Sequence, residues 1–280
     1  MRDRNVDIVR KKGEIISYTY NKMFNVDSKK ELLDVKYGKY KENVLDIYFP
    51  KSNILNTIIL FVHGGGWISL DKSLYKPVLL NLASKGYLVF NINYRLAPEH
   101  SVEDMEEDIM NAIDFAISFS SKSNVALMGD SAGAHLVSLV TNKLYSNLYL
   151  DNHLKNNINC NLLFYGVFDL TNVLETHFHD VDTYLYSIVK TDEDKKKYSP
   201  VNYICDNLPP VFIASGYIDK LNSESLEYSK LLKEHNIYTE SLFFSKRTLS
   251  AHHSFLNYYT SYACRESINE LTKFLNKVVK

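Results

Sequence analysis

The run Val125-Ala126-Leu127-Met128-Gly129-Asp130-Ser131-Ala132-Gly133-Ala134-His135-Leu136 constrains this chain more than any other. Four apolar residues lead straight into a Gly-x-Ser-x-Gly, and an apolar helical pattern follows at once. Strand, sharp turn and helix in that order present a serine at the tip of the turn, poised as a nucleophile. The flanking glycines have a steric reason. A serine on so tight a turn is strained, and side chains at Gly129 or Gly133 would collide across it. Alone, a Gly-x-Ser-x-Gly is a weak signal. The reading therefore requires an oxyanion hole, an acid and a base elsewhere in the chain, in a compatible order.

Around this stretch a rhythm of strand, loop and helix repeats. Residues 32–37 and 44–49 pattern as an antiparallel edge hairpin that turns near Gly38 and stops at Pro50. Residues 57–62 form a continuous apolar run, as in a strand buried on both faces, and end in His63-Gly64-Gly65-Gly66-Trp67. Helix follows over 71–84, with Gly86 placed to close it. A strand over 87–93 leads into Tyr94-Arg95-Leu96-Ala97-Pro98-Glu99-His100. Five acidic residues (Glu103, Asp104, Glu106, Glu107, Asp108) then open a helix, where negative charge suits the dipole. Further strands are expected at 160–165, 209–215 and 238–244, with helices at 224–234 and 255–279. Alternation of this kind makes a mainly parallel sheet covered on both faces.

Residues 1–280 read as one domain. Two stretches stand outside the rhythm. Residues 1–30 carry Ile8, Val9, Ile15, Ile16, Tyr20 and Phe24 at near-helical spacing, as mobile amphipathic helices over a site entrance would. Residues 170–199 are rich in Tyr, Phe and charge and form the second candidate lid segment; the lysines at 195–197 read as a solvated loop.

Composition narrows the class. With 280 residues, 45% hydrophobic, a full core is within reach, and a net charge of −1 implies neither nucleic acid nor an anionic membrane as partner. No signal-peptide core precedes the first helix and no apolar run approaches the ~20 residues of a membrane span. Cys160, Cys205 and Cys264 lack metal-ligand spacing and read as buried thiols. His177-Phe178-His179 has no spaced partner to complete a metal site, so neither metal nor organic cofactor is expected. The expectation is a cytoplasmic enzyme acting on a small molecule, with a homodimer compatible with everything read.

The three glycines after His63 let backbone N–H groups turn inward toward a ligand. A phosphate loop would need Gly-Lys-Ser/Thr, and Trp67-Ile68 stands there instead. Trp67 reads as a pocket wall. The N–H of Ala132, at the head of the helix after Ser131, is a further donor. Two aspartates, Asp169 and Asp219, lie near strand ends after the serine, and His252 and His253 are adjacent candidates for the base.

His63–Trp67, Tyr94–His100 and Gly129–Gly133 together resemble the hormone-sensitive-lipase-like branch of the α/β-hydrolases, from about Leu32 to the C-terminus. That resemblance implies an α/β-hydrolase fold with a small helical lid. It also implies Gly65 and Gly66 as oxyanion donors beside Ala132, and a structural role for His63. Gly216-Tyr217-Ile218-Asp219-Lys220-Leu221 is similar to the family's Gly-x-x-Asp-Pro-Leu, with Lys220 for the proline, which favours Asp219 as the acid. Ala251-His252-His253-Ser254-Phe255 resembles Met-x-His-Gly-Phe, which favours His253 as the base.

The implied function is a serine carboxylesterase acting on small short-acyl esters. The chain also departs from that branch after His100 and after Gly133. Ser101-Val102-Glu103-Asp104 stands where Pro-Phe-Pro-Ala is usual, and Ala134-His135-Leu136 replaces Gly-Asn-Leu. Ser-Ala-Gly-Ala-His-Leu resembles kynurenine formamidases instead, which makes an arylformamide hydrolase the alternative. A non-catalytic binding protein on the same fold is the alternative of another class; the retained serine, acid and histidine argue against it.

Overall fold

The computed structural model describes residues 4–23, 30–51, 55–149, 153–173 and 182–279. In chain order the elements are α1 (Arg4–Met23), β1 (Glu31–Lys36), β2 (Val44–Tyr48), β3 (Thr57–Val62), α2 (Lys76–Ser84), β4 (Leu88–Ile92), α3 (Val102–Ser120), β5 (Asn124–Asp130), α4 (Ala132–Tyr145), β6 (Ile158–Phe164), α5 (Leu170–Val173), α6 (Asp182–Ile188), α7 (Asp192–Lys197), β7 (Val211–Gly216), α8 (Asn222–Glu234), β8 (Thr239–Phe244) and α9 (Tyr262–Val278). The eight strands form one sheet in the order β1-β2-β4-β3-β5-β6-β7-β8. β1 and β2 pair antiparallel, β2 is antiparallel to β4, and the neighbours from β4 to β8 run parallel. This is the α/β-hydrolase architecture.

Alternation along β3 builds both layers. Ile58, Leu60 and Val62 face the layer that also holds Ile109 of α3, Leu136 of α4 and Leu232 of α8. Ile59 and Phe61 face the other, with Val78 of α2 and Leu271 and Phe274 of α9. A strand buried on both faces must be apolar throughout, which is why β3 reads as a continuous run.

Several expectations change in detail. The closing helix expected over 255–279 divides: Phe255–Asn257 is a 3-10 turn, and α9 starts at Tyr262 because the Ser261 side chain accepts from the Cys264 N–H. The helix expected from 71 opens as a 3-10 turn, Lys72–Tyr75, before α2. The lysines at 195–197 are the last turn of α7, not loop; Thr191 and Asp194 form a capping box, and acids lead while lysines close. Cys160 and Cys264 are buried, whereas Cys205 is only half-buried. His177 and His179 lie outside the described residues.

The N-terminal segment is one helix over 4–23, and it is fastened. Arg10 donates to the carbonyls of Ile68 and Ala97, both at 2.8 Å, and to Glu99. Val6 is buried in the core.

The acidic run at 103–108 does more than favour a helix N-terminus. Arg95, nearly fully buried, bonds Asp108 at 3.0 Å, Asp104 at 2.8 Å and Glu107 at 2.6 Å, and stacks over Tyr40. Glu106 pairs with Lys143 of α4 at 2.6 Å, with both side chains buried. Arg95 thereby ties the 94–100 loop to α3. That loop in turn reaches the 63–67 loop, through Tyr94 Oη to the His63 carbonyl at 2.9 Å and the Ala97 N–H to the Trp67 carbonyl at 2.9 Å. Removing one partner of a buried pair strands the other charge. Arg95→Ala leaves Asp108 buried without its countercharge, holding only the backbone N–H of residue 95, so chemical denaturation should show a loss of about 3–5 kcal/mol. Arg95→Lys should lose less, keeping the charge without the planar fork.

Candidate active site

The parallel register places Val62 opposite Gly129, so the 63–67 loop and the 129–133 turn leave the sheet side by side at strand carboxyl ends. Ser131 has φ 50° and ψ −119°, outside the usual regions for a side-chain-bearing residue. The flanking glycines make the close packing possible. A Cβ at Gly133 would overlap the Val62 carbonyl oxygen, and one at Gly129 would overlap the Gly133 backbone. The Ser131 N–H donates across the sheet to the Phe164 carbonyl at 2.9 Å.

Three predicted residues stand in one hydrogen-bonded chain. His253 Nε2 lies 3.0 Å from Ser131 Oγ, and His253 Nδ1 lies 2.9 Å from Asp219 Oδ2. The Asp219 side chain is fully buried while that of His253 is 39% exposed, so the imidazole faces the open side. A carboxylate can only accept, which puts a proton on Nδ1 and leaves the Nε2 lone pair toward the serine hydroxyl. Asp219 Oδ1 is held by the Leu221 N–H at 2.8 Å. The imidazole also meets the Tyr165 ring edge-on at 5.0 Å. The loops carrying acid and base touch through backbone: a Cβ at Gly216 would overlap the Ala251 carbonyl oxygen.

The 63–67 loop is oriented by its carbonyls. His63 Nδ1 donates to the Gly64 carbonyl at 2.6 Å, and the Gly65 carbonyl accepts from Ser69 N–H at 3.1 Å and Ser69 Oγ at 2.8 Å. In a trans peptide the N–H points opposite to the C=O. The N–H groups of Gly65 and Gly66 are therefore turned away from those contacts. Gly65 (φ 113°) and Gly66 (φ 61°) hold backbone that side-chain-bearing residues rarely adopt. Ala132, the first residue of α4, has an N–H with no intrahelical acceptor.

Asp130, the variable residue of Gly-x-Ser-x-Gly, is not among the residues the sequence singles out, and it is central here. Its Oδ1 accepts from the Gly64 N–H at 2.7 Å and its Oδ2 from Tyr75 Oη at 3.1 Å. It joins the serine strand directly to the glycine loop. The available signal was an ionisable residue at the end of a run otherwise buried on both faces.

Trp67 is placed differently from the expected pocket wall. It is 2% exposed, and its indole N–H donates to His135 Nδ1 at 3.1 Å, so it braces the loop from within the core. The ring that does lie on the glycine loop is Tyr184 of α6, which occupies the space a Cβ at Gly66 would take. Asp169 is engaged with Thr171, at 2.9 Å to its N–H, and is not in the Ser131–His253–Asp219 chain. His252 Nδ1 donates to the His253 carbonyl at 2.6 Å and its ring packs against Tyr258. Among the described residues no group of three or more His, Cys, Asp or Glu stands together as a metal site would.

Known proteins resemble this chain in sequence and in fold. A family model described as BD-FAE matches residues 45–235. Kynurenine formamidase from Danio rerio is 26% identical over 213 residues, covering 72% of this chain and 69% of that protein. Isoprenylcysteine alpha-carbonyl methylesterase from Arabidopsis thaliana is 27% identical over 234 residues, covering 77% of this chain and 53% of that one. In structure, an inhibited esterase B from Lactobacillus rhamnosis superposes with a TM-score of 0.86 at 19% identity, covering 98% of this chain and 95% of that one. At that identity the likeness is one of fold.

Burial pushes the Asp130 carboxyl up to about 6, against the Gly64 N–H, Tyr75 and the nearby His253, which all pull it down. A carboxyl raised in the folded state stabilises the fold while protonated. That contribution is complete below the unfolded value and is lost as pH rises through 6. Asp130→Asn does not titrate. Its stability relative to the native chain should rise between pH 4 and 7 by on the order of 3 kcal/mol. Urea unfolding at four pH values in that range measures it; a constant difference would assign Asp130 an ordinary carboxyl.

Proposed function

The chain belongs to the BD-FAE family of α/β-hydrolases, and from that premise we propose that it is a serine carboxylesterase cleaving small, short-acyl carboxylic esters through an acyl-enzyme on Ser131. The observation that carries the proposal is the hydrogen-bond chain from Ser131 Oγ through His253 to Asp219. In this reading His253 Nε2 takes the Ser131 proton as Oγ attacks the ester carbonyl carbon. Asp219 holds the imidazole and stabilises its charged form without accepting the proton. The developing oxyanion is met by the N–H groups of Gly65, Gly66 and Ala132, fixed before the substrate arrives and so requiring no reorganisation. His253 then gives its proton to the departing alkoxide. Water, activated by the same histidine, hydrolyses the acyl-enzyme and restores Ser131.

The preference for small acyl groups rests on Tyr184, whose ring lies against Gly66 where the acyl portion would sit. Among the described residues no helix is long and apolar enough to cross a membrane. A second reading has its own support. The similarity to kynurenine formamidase covers 72% of this chain, and Ser131-Ala132-Gly133-Ala134-His135-Leu136 is shared with that type of enzyme by resemblance. The same groups would then open an arylformamide, with an amine as leaving group.

A fluorophosphonate probe should label the folded protein, and Ser131→Ala should abolish the labelling. Absence of labelling in the native chain would remove the serine-hydrolase reading. Turnover of p-nitrophenyl esters should fall steeply with acyl length, and a preference for chains beyond about ten carbons would refute the short pocket. Ser131→Ala and His253→Ala should each cost several orders of magnitude in kcat, and Asp219→Asn somewhat less. N-formylkynurenine turnover exceeding that of p-nitrophenyl acetate in kcat/KM would favour the formamidase reading.

A further inference from the structure

His135 lies one helical turn beyond Ser131 and takes no part in the Ser131–His253–Asp219 chain. It is fully buried, yet both ring nitrogens are engaged: Trp67 Nε1–H donates to Nδ1 at 3.1 Å, and Nε2 stands 2.7 Å from the Tyr198 carbonyl. An indole N–H can only donate and a carbonyl can only accept, so the imidazole is neutral with its proton on Nε2. Burial, more than nearby Lys143, holds the ring down at about 4 despite the Tyr198 carbonyl, and keeps that tautomer at neutral pH.

The two ends of this bridge belong to different segments, the glycine loop and the chain around Tyr198. Trp67 directly follows Gly66 and has φ 64°, a left-handed backbone that a bulky residue rarely adopts. Tyr198 ends α7, its hydroxyl donates to Glu103 at 2.9 Å, and the segment after it is held to α4 by Asn142 Nδ2 on the Pro200 carbonyl at 2.9 Å. The 182–203 segment thus meets the glycine loop twice, at Gly66 through Tyr184 and at Trp67 through His135.

We infer that His135 is a positioning residue: it holds the glycine loop and the 182–203 segment in one fixed relation, by accepting from Trp67 and donating to Tyr198. Its effect on rate rests on the serine-hydrolase reading. Without the indole–imidazole bond, the strained backbone at Trp67 is free to relax, and the adjoining Gly66, itself at φ 61°, shifts with it. The Gly66 donor then no longer meets the oxyanion squarely. The oxyanion forms only on the way to the transition state, so the loss falls mainly on kcat and little on KM. Removing a donor outright costs 10²–10³-fold, so displacing one should cost roughly 10- to 100-fold.

Trp67 is the single tryptophan of the chain, so its fluorescence reports the bridge without any assay of turnover. His135→Phe fills the space with neither bond. It should shift Trp67 emission and lower kcat on p-nitrophenyl acetate by roughly 10- to 100-fold, with KM within about threefold. His135→Gln can accept from the indole and donate to Tyr198, and should recover most of kcat and the native emission. Trp67→Phe should lose as much kcat as His135→Phe, and the double variant no more than the larger single loss. Should His135→Phe fail to fold, Trp67→Phe and His135→Gln decide the matter by the same criteria. Native kcat in His135→Phe, no advantage of Gln over Phe, or losses that multiply in the double variant would overturn the inference. If fluorophosphonate does not label native Ser131, the hydrolase reading falls instead. The emission of the two His135 variants still decides the bridge then, and unchanged emission in His135→Phe overturns it.

Discussion

The contact between the ends of β3 and β5 governs the site. These neighbouring parallel strands bring Val62 opposite Gly129, and the chain beyond each must turn sharply in a space that admits almost no side chain. Gly133 rests against the Val62 carbonyl, and Gly64 gives its N–H to Asp130. A hydrogen bond to a buried carboxyl group is short and directional, and an unmet partner there would be costly. The glycine loop is therefore placed by the strand that carries Ser131, and not by its own flexible sequence. Ser131 and the glycine loop share one rigid support.

Around that contact, charge does work that apolar packing cannot. Arg95 with its three carboxylates pins the 94–100 loop, which bonds His63 and Trp67 in turn. Glu103 receives Lys197 and Tyr198 from the 182–203 segment, while Glu106 receives Lys143 from α4. One acidic helix start thus fastens three separate parts of the site's surroundings. Buried ion pairs are weak contributors to net stability but strict about geometry, since a misplaced partner leaves a charge unpaired. That strictness keeps the loops around Ser131 in one arrangement.

Much of this was legible in the residues. β3 and β5 announced themselves as apolar runs because they are buried on both faces, and Gly-x-Ser-x-Gly and His-Gly-Gly-Gly are legible because sterics admits few alternatives to glycine there. Asp219 and His253 were reached by resemblance, since spacing alone left Asp169 and His252 open. Other features escaped. The α7 capping box was hidden inside a run that looked merely charged, and the gap between 257 and 262 was hidden inside a helical pattern. Periodicity over a long window averages away such local hydrogen-bond choices. Asp130 and His135 were invisible as site residues because a buried polar side chain shows its purpose only through partners distant in sequence.

By itself, then, the sequence determined the strand–turn–helix at Ser131, the mainly parallel sheet and the glycine positions of the 63–67 loop. Each of these follows from local sterics or from burial on a repeating element. Only the tertiary structure decided which aspartate meets which histidine, that Trp67 braces the loop instead of walling a pocket, and that His135 joins it to Tyr198. Those outcomes depend on segments 34 to 122 residues apart meeting within hydrogen-bond distance. Separation along the chain carries no information about such meetings until the sheet order has set which loops emerge side by side.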